Sequence, residues 1–167
     1  MQETPKQYTQ RVLGYIEGKD PMVVLKATPR QIERLIAGAT KGRLARRPAP
    51  GKWSVTEILA HLADVEIVQG FRIRLVLGES GAKIQGFDQD VWARYSDYAS
   101  HDPRLSMEAY RVNRERTLRL LKSLTKKMWE SYGMHSERGK ESVLRITEMM
   151  AGHDINHRRQ IEALLEG

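Results

Sequence analysis

Residues 54–65 of the chain read SVTEILAHLADV, and this stretch contains the clearest helix start in the sequence. Its first four residues match a capping box, in which the Ser54 hydroxyl accepts from the amide of Glu57 and the Glu57 carboxylate accepts from the amide of Ser54. Apolar residues then recur at helical spacing and mark a core face at Ile58, Leu62, Val65 and Ile73. This pattern predicts a helix that runs to about Gly78.

Helical periodicity also dominates the rest of the chain, whereas the alternating patterns typical of strands are nearly absent. The other predicted helical regions are residues 8–39 with a break at 18–21, residues 102–128 and residues 141–165. Within the first region, Thr28-Pro29 indicates a second helix start. Segments 41–52 and 81–101 are expected to be loops, the second long enough to carry a short helix. Four long helices predict an all-α four-helix bundle, formed as a single domain over residues 1–167.

The amino-acid composition limits which metal ligands and nucleophiles the chain can provide. The chain has 167 residues, 40% of them hydrophobic, with 28 Lys and Arg, 21 Asp and Glu, and no Cys. Disulfides, thiolate ligands and a cysteine nucleophile are therefore excluded, and a transition metal would need His, Asp or Glu ligands. The net charge of +7 favours anionic partners without specifying one. The polar N-terminus and the lack of a long apolar run predict a cytoplasmic protein without a membrane segment.

Two histidines lie on the predicted core face of the last helix. The residues of this stripe are Ile146, Met150, His153, His157, Ile161 and Leu164. His153 and His157 are one turn apart and can bind a single ion, although a buried pair satisfied by hydrogen bonds is the alternative. His61, near the core edge of the helix that begins at Ser54, would alone be read as a structural histidine. Together the three predict a metal site with an open coordination position, as catalytic sites have.

Three polar residues near these histidines are candidates for contacts that orient the ligand imidazoles. Gln160 lies three residues after His157 on nearly the same face, and its alternative is a contact between helices. Asp64 follows His61 by three residues, whereas Asp154 points away from the stripe. For Asp154 the alternative is a solvated helical carboxylate. The sequence identifies no catalytic acid or base beside the site.

Other reactive or aromatic residues have structural interpretations. His101 is expected at the surface, whereas His135 lies in a loop that could approach the mouth of the site. Trp53 is expected to pack at the helix start as a hydrophobic staple. Trp92 and Tyr95 are expected in the core or in a lid.

The predicted third helix carries a run of basic residues. They are Arg111, Arg114, Arg116, Arg119, Lys122, Lys126 and Lys127. Such a run is usually solvated, although Arg114 falls near the apolar stripe and could point inward. The sequence contains no phosphate-binding loop, nucleophile elbow or helix-turn-helix spacing, so a nucleic-acid partner is not expected.

Two motifs resemble those of the DinB/YfiT-like superfamily. Residues 51–66, GKWSVTEILAHLADVE, resemble its second-helix signature, and residues 153–161, HDINHRRQI, resemble its last-helix signature. The order of the motifs, their separation and the sequence FDQD at residues 87–90 also match. The resemblance extends over nearly the whole chain.

The resemblance implies an up-down-down-up four-helix bundle, often assembled as a homodimer. It also implies a divalent metal ion, nickel or zinc and sometimes iron or manganese, held by three histidines that match His61, His153 and His157. The better understood members are metal-dependent transferases of low-molecular-weight thiols such as bacillithiol or mycothiol. Others are described as hydrolases.

Three functions are therefore expected as alternatives. In the first, an enzyme activates a small-molecule thiol at the metal for S-transfer, and its basic surface would attract an anionic thiol. In the second, a hydrolase uses a metal-bound water. In the third, a non-catalytic stress protein holds a structural or sensory metal ion. Because the chain has no cysteine, the sulfur of any thiol reaction must come with the substrate.

Overall fold

The computed structural model describes residues 3–167, most of which are helical. The helices are α1 (Pro5–Gly14), α2 (Pro21–Ile36), α3 (Lys41–Ala45), α4 (Val55–Gly78), α5 (Gln89–Tyr95), α6 (Pro103–Lys122), α7 (Lys126–Trp129) and α8 (Val143–Glu166), with a 3₁₀ helix at Tyr98–Ser100. The strands are β1 (Ala82–Ile84), β2 (Tyr132–His135) and β3 (Gly139–Ser142). No helix within residues 3–167 has both the length and the apolar character needed to cross a membrane.

The start of α4 confirms the capping-box prediction. The amide of Glu57 donates to the Ser54 hydroxyl over 3.3 Å, and the amide of Ser54 donates to the Glu57 carboxylate over 2.8 Å. Two of the otherwise unpaired amides of the first turn are thereby satisfied. The helix then runs to Gly78, as the periodicity predicts.

The four long helices α2, α4, α6 and α8 form the bundle. Helix α2 packs mainly against α8, and α4 against α6, while contacts of α4 with α8 and of α2 with α6 close the ring. One cluster of the core includes Ile32, Ile58, Met107 and Ile161. The other cluster includes Leu25, Ile73, Leu118 and Ile146. Helices α2 and α8 therefore run in one direction and α4 and α6 in the other, which is the expected up-down-down-up order.

A small sheet covers one part of the bundle, in segments between the predicted helices and, at residues 141–142, at the start of the predicted last helix. Strand β1 pairs in parallel with β2, and β2 pairs antiparallel with β3. Each strand has only three or four residues, too few for an alternating pattern to be recognised. The long segment after α4 also carries the short helix α5, as its length allows.

Two predicted helix boundaries are wrong, and the segment 41–52, predicted to be a loop, begins with the short helix α3. Helix α6 ends at Lys122, and the basic residues beyond it start the separate short helix α7. Thr28-Pro29 does not begin a helix, because Pro29 lies inside α2 and the Thr28 hydroxyl donates to the carbonyl of Val24 over 2.9 Å.

A buried ionic layer crosses the middle of the bundle, centred on Arg114 of α6. Its guanidinium donates to Glu66 of α4 over 2.9 Å and to both carboxylate oxygens of Asp154 of α8, over 2.6 and 3.1 Å. The Tyr110 hydroxyl donates to the same Asp154 carboxylate over 2.9 Å. Burial acts to lower the pKa of Arg114, but Asp154 and its neighbours hold it well above its ordinary value. Arg114 thus points inward, as its place near the apolar stripe suggests.

Pro29 has a specific partner in this ionic layer. A proline has no amide to donate to the carbonyl four residues earlier, which here belongs to Leu25. That carbonyl instead accepts from the Arg114 guanidinium over 3.1 Å. The proline therefore leaves a free carbonyl on α2, and through it α2 joins α4, α6 and α8 in the ionic layer.

Helix α1 lies against α8 at Gly152, beside His153. A side chain at Gly152 would overlap the backbone carbonyl of Val12, so the two helices approach more closely here than any larger residue permits. Gly152 therefore fixes α1 over the part of α8 that carries the histidines.

We expect Gly152→Ala to lower the free energy of unfolding by about 1–3 kcal/mol, because the added methyl group forces the two backbones apart. Urea denaturation measures the change. Gly14→Ala is the matched control, since a side chain at Gly14 meets nothing within 4 Å. Replacing that glycine is expected to be neutral or to stabilise by up to about 1 kcal/mol. Equal effects of the two substitutions would contradict the close contact of α1 with α8.

Candidate metal centre

The three predicted histidines meet at one point in the bundle. His61 comes from the first turns of α4, and His153 and His157 come from adjacent turns of α8, which runs antiparallel to α4. The Nε2 atom of His153 lies 3.0 Å from Nε2 of His61 and 3.1 Å from Nε2 of His157. Within residues 3–167, this is the one group of three or more His, Asp or Glu residues whose ligand atoms converge within 4.8 Å.

Hydrogen bonds among the rings cannot satisfy this arrangement. A neutral imidazole nitrogen carries either one proton or one lone pair, so Nε2 of His153 can pair with only one of its two neighbours. The Nδ1 atoms of His61 and His157 are buried and have no hydrogen-bond partner in the described residues. Three nitrogens pointing at one another in a buried site fit a cation placed among them.

The surroundings also keep the three rings uncharged. Burial, with the neighbouring His157, lowers the pKa of His61 well below its usual range. Burial and both other rings do the same to the pKa of His153. Burial lowers the pKa of His157 to about 4. Neutral imidazoles with available lone pairs are the protonation state that binds a metal ion.

The residues proposed to orient the ligands have different surroundings. Gln160 lies beside His157, and its side chain acts to raise the pKa of that ring against the effect of burial, although Nδ1 of His157 has no hydrogen-bond partner. Asp64 instead accepts from the Tyr98 hydroxyl over 2.6 Å. Asp154 belongs to the ionic layer. Of the three candidates, only Gln160 is brought to a ligand histidine.

The two remaining histidines lie apart from the cluster. His101 is half-buried, and its Nε2 donates to the carbonyl of Ser96 over 2.8 Å. His135 lies on β2 and is buried, with its Nδ1 accepting from the amide of Glu137 over 3.1 Å. Burial and the neighbouring Arg138 lower the pKa of His135.

The aromatic residues only partly follow the predictions. Trp53 precedes the cap of α4, and its ring lies 4.9 Å from the ring of His61, so it packs against the candidate centre. Trp92 is 37% exposed and Tyr95 is 79% exposed, and the prediction that they could belong to the core is wrong. Trp92 instead lies against Phe87, with 4.6 Å between the ring centroids.

Two adjoining cavities reach the histidines. The first, of about 370 Å³, reaches His61 and His153, and we call it the arginine lobe because Arg72 and Arg138 line it. The second, of about 610 Å³, reaches His157 and is called the tryptophan lobe after Trp53. The residues that line both lobes are Glu3, Tyr8 and Gln89. The candidate centre is therefore reached from two adjoining lobes of one divided cleft.

Helix α1 covers this cleft, a role that its sequence does not indicate. Arg11 donates to both carboxylate oxygens of Glu3, over 2.8 and 2.9 Å, and to the Asn156 side chain over 2.8 Å. It thereby ties α1 to the turn of α8 between the two histidines. The polar sequence of α1 gives no signal of this contact, because a helix that covers a polar cleft needs no wide apolar face.

A comparison with protein families matches most of the chain. A family model described as the DinB superfamily matches residues 25–161. The chain belongs to the DinB superfamily. This confirms the resemblance seen in the motifs around His61 and His153.

Named relatives of this DinB-superfamily protein are described as metal-dependent. One from Bacillus subtilis (strain 168), "Putative metal-dependent hydrolase YfiT", is 25% identical over 146 residues, 84% of this chain and 82% of the relative. Another from Bacillus licheniformis, also named a "putative metal-dependent hydrolase", is 28% identical over 140 residues, 83% of this chain and 80% of the relative.

A solved structure has the same fold. The structure of YfiT from Bacillus subtilis superposes with a TM-score of 0.81 at 21% identity, covering 96% of this chain and 87% of the other. That protein is described as "a probable metal-dependent hydrolase with an unusual four-helix bundle topology". The predicted bundle is thus confirmed by an independent fold comparison.

Proposed function

We propose that this protein is a metal-dependent enzyme in which His61, His153 and His157 hold one divalent ion, zinc or nickel in preference to iron or manganese. The convergence of the three Nε2 atoms, at 3.0 and 3.1 Å, carries this proposal. When bound, such an ion lowers the pKa of a thiol or water molecule at its open position. The chain supplies the neutral, buried ligands, and the Trp53 ring covers His61 on one side.

The reaction that we propose is transfer of a low-molecular-weight thiol to a small electrophile. A free thiol has a pKa of about 8.5, against about 15.7 for bulk water, so it needs much less help to ionise. The site suits the easier task, because within residues 3–167 no carboxylate lies among the converging nitrogens to serve as a general base toward a water molecule there. The divided cleft offers one lobe for each of two reactants.

In this reaction the sulfur of the thiol forms a bond to the electrophilic carbon. The bond from that carbon to its leaving group breaks, and the leaving group departs with the bonding electrons. The thiol proton passes to solvent through the open cleft. Because the chain contains no cysteine, no protein sulfhydryl competes as the nucleophile.

We expect the zinc- or nickel-loaded protein to catalyse S-alkylation of monochlorobimane by at least one of bacillithiol, mycothiol, glutathione and coenzyme A. At pH 7 only about 3% of a free thiol is ionised, so complete ionisation alone raises the rate by about thirtyfold over metal-free protein. The advantage should shrink above pH 8.5, where the free thiol ionises unaided. Fluorescence of the bimane adduct measures the rate. Lack of turnover with all four thiols would contradict S-transfer.

Hydrolysis is the second candidate, favoured by the names of the relatives. Glu137 lines the arginine lobe together with His61 and His153 and offers a carboxylate that could accept a proton from water. Turnover of ester or amide substrates by the metal-loaded protein without added thiol separates the two reactions. Such turnover, lost on Glu137→Gln, would establish hydrolysis in place of S-transfer.

A further inference from the structure

The floor of the arginine lobe is one stripe of α4. His61, Val65, Gln69 and Arg72 are spaced by four, four and three residues, and all of them line this lobe. Residues eleven apart return to nearly the same face of a helix, three turns further on. Arg72 therefore stands on the same wall as His61, at the far end of the lobe.

Arg72 is a buried cation without a carboxylate partner. It is only 4% exposed, yet within residues 3–167 it forms no ion pair, and its one hydrogen bond is to the carbonyl of Gln85, over 2.7 Å. Its guanidinium also lies 5.7 Å from the centre of the Phe87 ring. Buried arginines are normally paired, because the loss of hydration is otherwise uncompensated. Most of the five N–H donors of Arg72 thus lack a protein acceptor.

The neighbouring charges do not remove this imbalance. Arg138 lies near Arg72, and its two bonds to Glu141, over 2.6 and 3.0 Å, use that carboxylate. Glu137 lines the lobe but makes no ion pair with Arg72. Burial and the nearby Arg138 lower the pKa of Arg72 to about 10, although Glu141 and Glu137 act to raise it, so Arg72 remains a cation at neutral pH.

We propose that Arg72 binds a carboxylate of the substrate and places its reacting atom at the histidine cluster, an inference that rests on the proposed function. Arginine recognises carboxylates through paired N–H donors in one plane. The Glu137 carboxylate in the same lobe favours a singly charged group over a phosphate dianion. The substrate class is thus a small molecule with a carboxylate at one end.

The spacing along α4 sets the length of this substrate. The Cα atoms of His61 and Arg72 are about 16 Å apart along the helix axis. Side chains on a helix lean toward its N-terminus, and the arginine, being longer than the histidine on the same helix, reaches further in that direction. The carboxylate should therefore lie on the order of 10 Å from the reacting atom. A six-carbon mercaptocarboxylate approaches this span, whereas a three-carbon one is too short.

The test is calorimetric titration of the zinc-loaded full chain with mercaptohexanoate, its neutral amide and mercaptopropionate. We expect the hexanoate to bind about tenfold to a hundredfold more tightly than its amide. Its carboxylate carries a charge opposite to that of Arg72, whereas the amide is neutral. Arg72→Gln should remove this preference and Arg72→Lys should keep part of it. Arg74→Gln is the matched control, because Arg74 is an exposed arginine on the same helix.

Glu137→Gln tests the alternative that Arg72 serves only to balance Glu137. The proposal predicts unchanged or tighter binding of mercaptohexanoate by this variant, because a competing carboxylate is removed. Weaker binding would overturn it, as would equal affinity of the unsubstituted protein for the carboxylate and the amide. The proposal would also be overturned if Arg74→Gln lowered the affinity for mercaptohexanoate as much as Arg72→Gln does.

The test of carboxylate binding by Arg72 can be evaluated independently of the proposed metal site. Zinc uptake is measured first, and the same titrations are repeated with metal-free protein, where weaker binding with the same dependence on Arg72 is expected. If the protein bound no zinc but still required Arg72 to bind mercaptohexanoate, the metal site would be contradicted and the role of Arg72 as the carboxylate-binding residue would stand. If neither the zinc-loaded nor the metal-free protein bound the carboxylate, the proposed role of Arg72 would be overturned.

Discussion

Replacing His153 by alanine is expected to reduce the metal content of the purified protein from about one ion per chain to a small fraction of that value. The Nε2 atom of His153 lies next to those of both His61 and His157, so its removal leaves only two of the three nitrogens that would hold the ion. Disturbing only the partners of a metal ligand costs about tenfold to a hundredfold in affinity, and loss of a ligand should cost more. Elemental analysis measures the content.

The same measurement on His61→Ala and His157→Ala completes this test. Both variants are expected to lose the metal, whereas His101→Ala should retain it, because His101 is bonded to the carbonyl of Ser96 and lies outside the cluster. Thermal unfolding gives a second reading, since added metal should raise the Tm only of proteins that keep the site. Unchanged metal content in both His61→Ala and His157→Ala would contradict the ligand assignment.

The second large effect concerns the ionic layer. Arg114→Met is expected to lower the free energy of unfolding by about 3–5 kcal/mol, because Glu66 and Asp154 would remain buried without their cation. Arg114 is 2% exposed, and it bonds both carboxylates and the free carbonyl of Leu25. Urea denaturation of metal-free protein isolates this contribution from that of any bound ion.

The control for this change is Arg111→Met, an exposed arginine one turn earlier on α6. It is expected to alter stability by less than about 0.5 kcal/mol. Combining Arg114→Met with Glu66→Gln and Asp154→Asn should recover part of the loss, because no buried charge is then left unpaired. If Arg114→Met were no more harmful than Arg111→Met, the layer would contribute little to stability.

The histidine cluster could be foreseen because its residues obey helical periodicity. His153 and His157 interrupt an otherwise apolar stripe at adjacent turns, so their meeting on one face follows from the spacing alone. The approach of His61 does not follow in this way, since nothing local determines which helices become neighbours. Its place near the core edge of the predicted helix made His61 a candidate, and the resemblance to a family implied the same three ligands. The resemblance also implied the up-down-down-up order, which the core clusters confirm.

What the sequence did not reveal depends on contacts between distant segments. Pro29 suggests a helix start because its usual place is the first turn, whereas here Arg114 takes the carbonyl that the proline leaves free. Asp154 appears solvated because it points away from the histidine stripe, yet that direction leads into the ionic layer. Arg72 resembles any helical arginine until the sheet and Phe87 enclose it.

X-ray absorption of the metal-loaded protein tests the central claim most directly. The spectrum is expected to show three imidazole nitrogens at about 2.0–2.1 Å from zinc and no sulfur. Addition of a thiol should introduce one sulfur at about 2.3 Å, which must come from the added molecule because the chain has no cysteine. A protein that retains no metal, or whose metal shows no imidazole scattering, would contradict the account.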